Sequence, residues 1–217
     1  MRELVYAPPE DALIPVYEDD DILIINKPAG LLSVPGKASE HKDCVESRLK
    51  TRDSSVLTVH RLDLATSGLM IFARNKNAQR HLGLQFEKRQ VEKMYIADVW
   101  GHMESENGEV YLPLRCDWPN RPLQMVCHEH GKPALTQWQL TTQNADTARL
   151  ALSPKTGRSH QLRVHMQSLG HPILGDRFYA HDEAYHAAKR LHLHAAHIRF
   201  RHPTGGAWVE FDIPCPF

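Results

Sequence analysis

Four cysteines are scattered through the 217 residues, at Cys44, Cys116, Cys127 and Cys215, and no two form a C-x-x-C pair. A disulfide framework or a thiolate zinc site needs paired spacings, so these read as reduced thiols in a cytoplasmic protein. Long hydrophobic runs are missing too. No stretch approaches a membrane span, and the opening "MRELVYAPP" lacks the apolar segment of a signal peptide. There is no G-x-x-x-x-G-K-[ST], no G-x-G-x-x-G and no G-x-S-x-G, which argues against nucleotide hydrolysis, dinucleotide redox and α/β-hydrolase chemistry. Repeats, low-complexity tracts and linkers are also absent, so one good-sized core or two small lobes are expected.

Net charge is absent as well: 26 Lys and Arg balance 26 Asp and Glu. The distribution along the chain is uneven. Residues 1–50 carry 6 basic and 10 acidic side chains, residues 51–100 carry 8 and 5, residues 101–150 carry 4 and 6, and residues 151–217 carry 8 and 5. Folding could therefore assemble a positive face from the second and fourth stretches. Nine of the 15 histidines lie after residue 150 and would reinforce that face below neutral pH.

What is present reads as many strands and a few helices. Ile22–Asn26 is a buried strand stopped by Lys27-Pro28-Ala29-Gly30. Val45 and Leu49 suggest a short helix, and strands follow at Val56–His60 and Leu69–Ala73. Ala78, Leu82 and Phe86 share one face of a helix over 76–89 whose outer surface is basic. "KMYIADVWG" is a strand with Tyr95, Ala97 and Val99 on one side. Segment 113–133 is an ordered loop excursion, followed by strands at 134–140 and 147–152. A helix near 158–169 is lined by Leu162, Met166 and Leu169 and stopped at Gly170. A short helix near 182–190 and strands near 191–200 and 207–212 complete the chain. The pattern predicts an α+β fold on a largely antiparallel or mixed central sheet, flanked by helices and loops.

Asp63, in "VHRLDLATSG", can be read two ways. One is a turn carboxylate bonded to its own backbone. The other is a nucleophile or base, which must stay ionised while partly shielded and so needs a cation from elsewhere in the chain. "GRSHQLRVH" offers Arg158, His160, Arg163 and His165 around a helix start, with Arg163 beside the core face. The bland reading there is a solvated cationic face. Spare N–H groups at Gly157-Arg158-Ser159 would also suit a phosphate. Tyr95 is either a core residue with a satisfied hydroxyl or one that stacks on a base and moves a proton. His192 and His194 share a strand face compatible with a metal pair, but no carboxylate or cysteine lies at matching spacing.

Four segments taken together resemble the RluA-type pseudouridine synthases: "NKPAGLLSVPG", "HRLDLATSG", "KMYIADVWG" and "TGRSHQLRVHM", with "CDWPNRPLQ" and "GHPILGDRFYA" narrowing the likeness. The match is collinear from about Asp19 to the C-terminus. It implies a pseudouridine synthase fold of two sub-lobes with a central cleft, formed by residues 1–217 as a single catalytic domain. Some relatives carry an N-terminal S4-like RNA-binding domain; with a first strand near residue 13, none is expected here.

The activity implied is isomerisation of uridine to pseudouridine in tRNA anticodon stem-loops and a 23S rRNA hairpin, by a cytoplasmic monomer with no cofactor or metal and no membrane partner. Asp63 matches the essential aspartate, Arg163 the arginine that salt-bridges it, and Tyr95 the tyrosine that stacks on the flipped uracil. Arg61 matches the residue that fills the gap left by the flipped base. RNA contacts are further expected from His60, Arg158, His160 and His165. The carboxylate would attack C1′, or remove a proton at C2′ to give a glycal. Two rivals remain from other classes: an idle RNA-binding module, and a metal-dependent hydrolase using the C-terminal histidines.

Overall fold

A wholly apolar run is long enough to stiffen a strand only where both its faces are covered, and the chain's first elements obey that rule. The computed structural model describes residues 6–217 and separates them into two compact units. The first unit begins with β1 (Pro15–Glu18) and β2 (Ile22–Lys27), followed by α1 (Val45–Arg52), β3 (Leu57–Thr58), β4 (Ser67–Ala73) and α2 (Lys76–Glu87). Strand β4 is buried at every position, so it shows no alternation. It pairs antiparallel with β2, Ile24 opposite Ile71, and β1 pairs antiparallel with β2 on the other side.

The Cys44 side chain and Ser47 form a capping box at the start of α1, and the Asn75 side chain caps α2. Ala78 and Leu82 of α2 lie in the core with Ile22, Ile24, Leu69 and Ile71. Burying such side chains contributes about 1.5–3 kcal/mol each.

At Met94 the chain enters the second unit. Its strands are β5 (Glu92–Trp100), β6 (Asn107–Tyr111), β7 (Leu114–Cys116), β8 (Gln124–Val126), β9 (Leu135–Gln143) and β10 (Thr147–Pro154), and its helices are α3 (Gln161–Ser168) and α4 (Asp182–His186). The main sheet runs β5-β10-β9-β6, antiparallel throughout. The chain then returns to the first unit, which is completed by β11 (Leu193–Arg201) and β12 (Trp208–Asp212), an antiparallel hairpin beside β4. Gly68 of β4, at φ +119, lies against the backbone of Ala195, where a Cβ would meet the Ala195 oxygen at 2.4 Å. No other residue fits there.

The α+β architecture agrees with the sequence pattern; four local expectations do not. The strand expected at Val56–His60 shrinks to Leu57–Thr58, because the side chain of His60 replaces the backbone as partner of Ile71 N–H. The excursion 113–133 contains the β7–β8 hairpin. Strand β6 was not expected at all. Helix α3 starts at Gln161 and is buried on almost every side, whereas Leu169, expected on its inner face, is exposed.

Candidate active site

In the first unit, residues 59–66 form the irregular connection from β3 to β4 and carry His60, Arg61 and Asp63. Irregular backbone stays in place only if its polar groups are satisfied. Two buried side chains do this. Ser33 Oγ donates to Leu62 O at 2.6 Å and accepts from Leu62 N at 3.1 Å. Lys27, fully buried at the end of β2, donates to Pro28 O at 2.8 Å, Leu31 O at 2.7 Å and Leu64 O at 3.2 Å. These three bonds match the three protons of an ammonium, so the charge is solvated by carbonyl dipoles in place of water. Leu64 O also accepts from Gly30 N at 2.9 Å, which ties the turn after β2 to the loop. Thr66 N donates to Asp63 O at 3.1 Å and closes the turn.

Asp63 is half-buried and sits one residue beyond the point pinned by Ser33. Arg61 is exposed and makes no hydrogen bond or ion pair among the described residues. His60 is engaged within the fold. Its Nε2 accepts from Ile71 N at 2.9 Å, and its ring stacks on Phe86 at 4.7 Å between centroids. Burial, aided by the positive charge of Lys93, depresses its pKa to about 3. The imidazole is thus neutral near pH 7 and part of the fold.

Because the unfolded chain binds this proton near pH 6.5 and the folded chain near 3, stability is complete above about pH 6.5 and is lost as pH falls toward 3. Denaturant unfolding at pH 7.5, 6 and 5 is expected to show this loss, and His60→Gln, whose amide oxygen accepts without titrating, to flatten it. Equal slopes for both proteins would contradict the assignment.

In the second unit, Arg163 is one of the most buried charged residues, 3% exposed, on α3. Its Nε and Nη2 donate to the two carboxylate oxygens of Asp176 at 2.7 and 2.6 Å. The same guanidinium lies 5.2 Å from the Phe178 ring centroid and 5.1 Å from that of Tyr179. Asp176 Oδ1 further accepts from Phe178 N at 2.9 Å and Tyr179 N at 3.2 Å. A bidentate pair clamped between aromatic faces holds the guanidinium in one orientation. Tyr95 is half-buried on β5, opposite Leu152 of β10, on the strand face that buries Ala97 and Val99.

His160 caps α3 in the left-handed region at φ 53, and its Nδ1 is 2.6 Å from the Tyr179 hydroxyl. A non-glycine residue at that φ stores strain of the kind found at working sites. His165 is fully buried, with Nδ1 at 2.9 Å from Thr136 Oγ1 and Nε2 at 3.3 Å from Leu112 O. Burial lowers its pKa. The anion cradle expected at Gly157-Arg158-Ser159 is partly spent, since Arg158 N donates to Gln161 Oε1 at 3.0 Å and the Arg158 side chain reaches Pro133 O at 3.3 Å.

The C-terminal histidines are engaged elsewhere. His192 Nδ1 is 3.0 Å from Asp98 Oδ2 and its ring stacks on Phe217, and His194 is fully buried. Among the described residues no group of three His, Cys, Asp or Glu is arranged to hold a metal ion.

Sequence reasoning assigned no role to Lys27, Ser33 or Asp176. Lys27 did carry a signal: a lysine ending a wholly apolar strand must either reach water or be solvated inside. Asp176, thirteen residues from Arg163, gave none, because only the fold brings them together.

A family model described as RNA pseudouridylate synthase matches residues 21–168, which include Asp63, Tyr95 and Arg163. The chain is 52% identical over 223 residues, 100% of its own length and 89% of the relative's, to the dual-specificity RNA pseudouridine synthase RluA of Vibrio vulnificus strain CMCP6. It is 53% identical over 214 residues, 98% of each chain, to the protein of the same description from Escherichia coli strain K12. Its fold is similar to that of human RNA Pseudouridylate Synthase Domain Containing 1, with a TM-score of 0.81 and 29% identity over 97% of this chain and 87% of that one.

Proposed function

The chain belongs to the RNA pseudouridylate synthase family and is an isomerase of uridine in RNA; on that premise we propose that it acts on two RNA classes, a tRNA anticodon stem-loop and a 23S rRNA stem-loop. The observation that carries this reading is the identity of 52% to a relative described as dual-specificity, over the full length of the chain. It works as a cytoplasmic monomer; no described helix is long and apolar enough to cross a membrane.

Asp63 is the reacting carboxylate. The target uridine is flipped out of its stack, because neither C1′ nor C5 can be reached within it. The N1–C1′ bond breaks, the uracil turns, C5 bonds to C1′, and the C5 proton leaves. Attack of the carboxylate at C1′, which leaves again as C5 bonds there, and proton removal at C2′, with that proton returned as C5 bonds to C1′, both satisfy the balance, N1 gaining one proton for the one lost at C5. Tyr95 stacks on the extruded base, and Arg163 is the cationic partner of Asp63 in the reaction. Arg158 and His160 contact the RNA backbone. Arg61, exposed and without a hydrogen-bond or ion-pair partner among the described residues, fills the gap left by the base.

Carbodiimide-dependent primer-extension stops in each RNA after incubation with the purified chain test the proposal. New stops in both RNAs are expected; stops in one alone would reduce the activity to a single class. Arg61→Ala is expected to slow the single-turnover rate about 10–100-fold, since a few kcal/mol of unstacking energy is then no longer offset. The melting temperature should be unchanged, because Arg61 is exposed and makes no hydrogen bond or ion pair among the described residues. An unchanged rate would contradict the gap-filling role.

A further inference from the structure

An ammonium taken out of water normally finds a carboxylate or a set of carbonyls, as Lys27 does. Lys93, at the start of β5, is the exception. It is half-buried, and its Nζ lies 5.9 Å from the centroid of the Phe86 ring. Among the described residues it meets no hydrogen-bond acceptor and no carboxylate. Its neighbour Glu92 is committed to Arg199, at 3.4 Å. Phe86 in turn stacks on His60, the residue next to Arg61. Lys93, Phe86 and His60 therefore form one cluster of side chains beside the loop that carries Asp63, and among the described residues the cation in it has no counter-charge.

Burial without a partner has a cost that the free protein carries. Desolvation lowers the pKa of Lys93, and its charge helps to hold His60 neutral. A residue of this kind persists where a ligand supplies the missing anion, and the ligand of an RNA isomerase is a polyanion.

We propose that Lys93 is a phosphate-binding residue, whose ammonium receives a phosphodiester oxygen of the substrate RNA strand beside the target nucleotide. The assignment rests on the RNA-isomerase reading above and adds a contact to it. Lys93 shares a face of β5 with Tyr95, two residues on, so a strand whose base reaches Tyr95 runs its backbone past Lys93. The aromatic ring under Nζ keeps the cation in place without neutralising it.

The test uses Lys93→Met, which keeps the stem and removes the charge. Binding of anticodon stem-loop RNA is measured in an Asp63→Asn background, where no turnover intervenes, across a salt series. Lys93→Met should weaken binding about tenfold near 0.15 M salt and reduce the slope of log K against log salt by about 0.7–0.9, the loss of one phosphate contact. Lys93→Arg should restore most of the affinity. Lys50→Met, whose charge is already matched by Glu46 at 2.5 Å, should do neither.

In the free protein, Lys93→Met should raise the melting temperature by about 2–4 °C, because an unpaired desolvated charge is removed. With Asp63 intact, the single-turnover rate at saturating RNA should stay within about twofold of wild type. An unchanged affinity and salt slope would overturn the assignment. So would a lowered melting temperature with parallel loss of binding, or a rate loss at saturating RNA with affinity intact. Wild-type turnover of the same RNA is followed alongside. Its absence strikes the underlying activity, whereas turnover with unaltered Lys93→Met affinity strikes only the phosphate contact.

Discussion

Asp63→Asn is expected to lower pseudouridine formation by at least about 10⁴-fold, in the range seen when a reacting side chain is removed, while RNA affinity and melting temperature change little. The size follows from the chemistry. An amide at this position neither adds to C1′ nor accepts a proton at C2′, so both routes close. Retention of the fold follows from the way the loop is held. Its anchors are Ser33 on Leu62 and Lys27 on Leu64, flanking Asp63, together with the Thr66 N–H on the backbone oxygen of Asp63. None of these uses the carboxylate. Single-turnover rates, filter binding and thermal melts of the same preparation separate the two effects. Loss of activity together with a large fall in melting temperature would mean that Asp63 is structural.

Asp176→Ala should cost about 3–5 kcal/mol of stability, the range for breaking a buried ion pair by removing one partner. In a chain of this size that is a fall of about 6–20 °C in melting temperature. The pair is 3% and 0% exposed at the side chains, and the carboxylate also takes the amides of Phe178 and Tyr179, so several donors are stranded at once. Asp176 is thus the positioning residue for Arg163. The double variant Arg163→Met, Asp176→Leu separates stability from function. Apolar residues of similar volume should recover much of the melting temperature, but turnover should stay lost, as the proposed role of Arg163 in the reaction requires its guanidinium. Recovery of both would show that Arg163 has no part in the reaction.

The repeating patterns of this fold were readable in advance because they rest on local chemistry. Strand β2 ends at a Lys-Pro-Ala-Gly turn, α2 presents Ala78, Leu82 and Phe86 at helical spacing, and α3 stops at Gly170. Strand β6 was not readable. In "NGEVY" only Val110 is buried, and the segment is held by its partners on β9. Helix α3 misled for the opposite reason: Gln161, Arg163 and His165 look like a solvated face but are buried with their polar groups satisfied by Thr136, Asp176 and Leu112.

The same contrast holds in the candidate site. Asp63 and Arg163 stand out as charges beside apolar segments, and collinear resemblance gave them roles. His60 and His165 were read as RNA contacts from their company in the sequence, but imidazole is also a compact buried hydrogen-bonding group, and only the fold distinguishes the two uses. Lys27 and Lys93 show how little residue type says alone. Among the described residues, the buried ammonium of Lys27 is bonded to three carbonyls and the half-buried one of Lys93 meets none.

The most direct test of the central assignment is release of tritium from RNA labelled at uridine C5. Anticodon stem-loop and 23S stem-loop RNAs are incubated separately with the purified wild-type chain and with Asp63→Asn. The wild-type chain should release one tritium for each uridine converted, in both RNAs, and the variant none above background. Absence of release from both RNAs with the wild-type chain, or equal release by the variant, would contradict uridine isomerisation through Asp63.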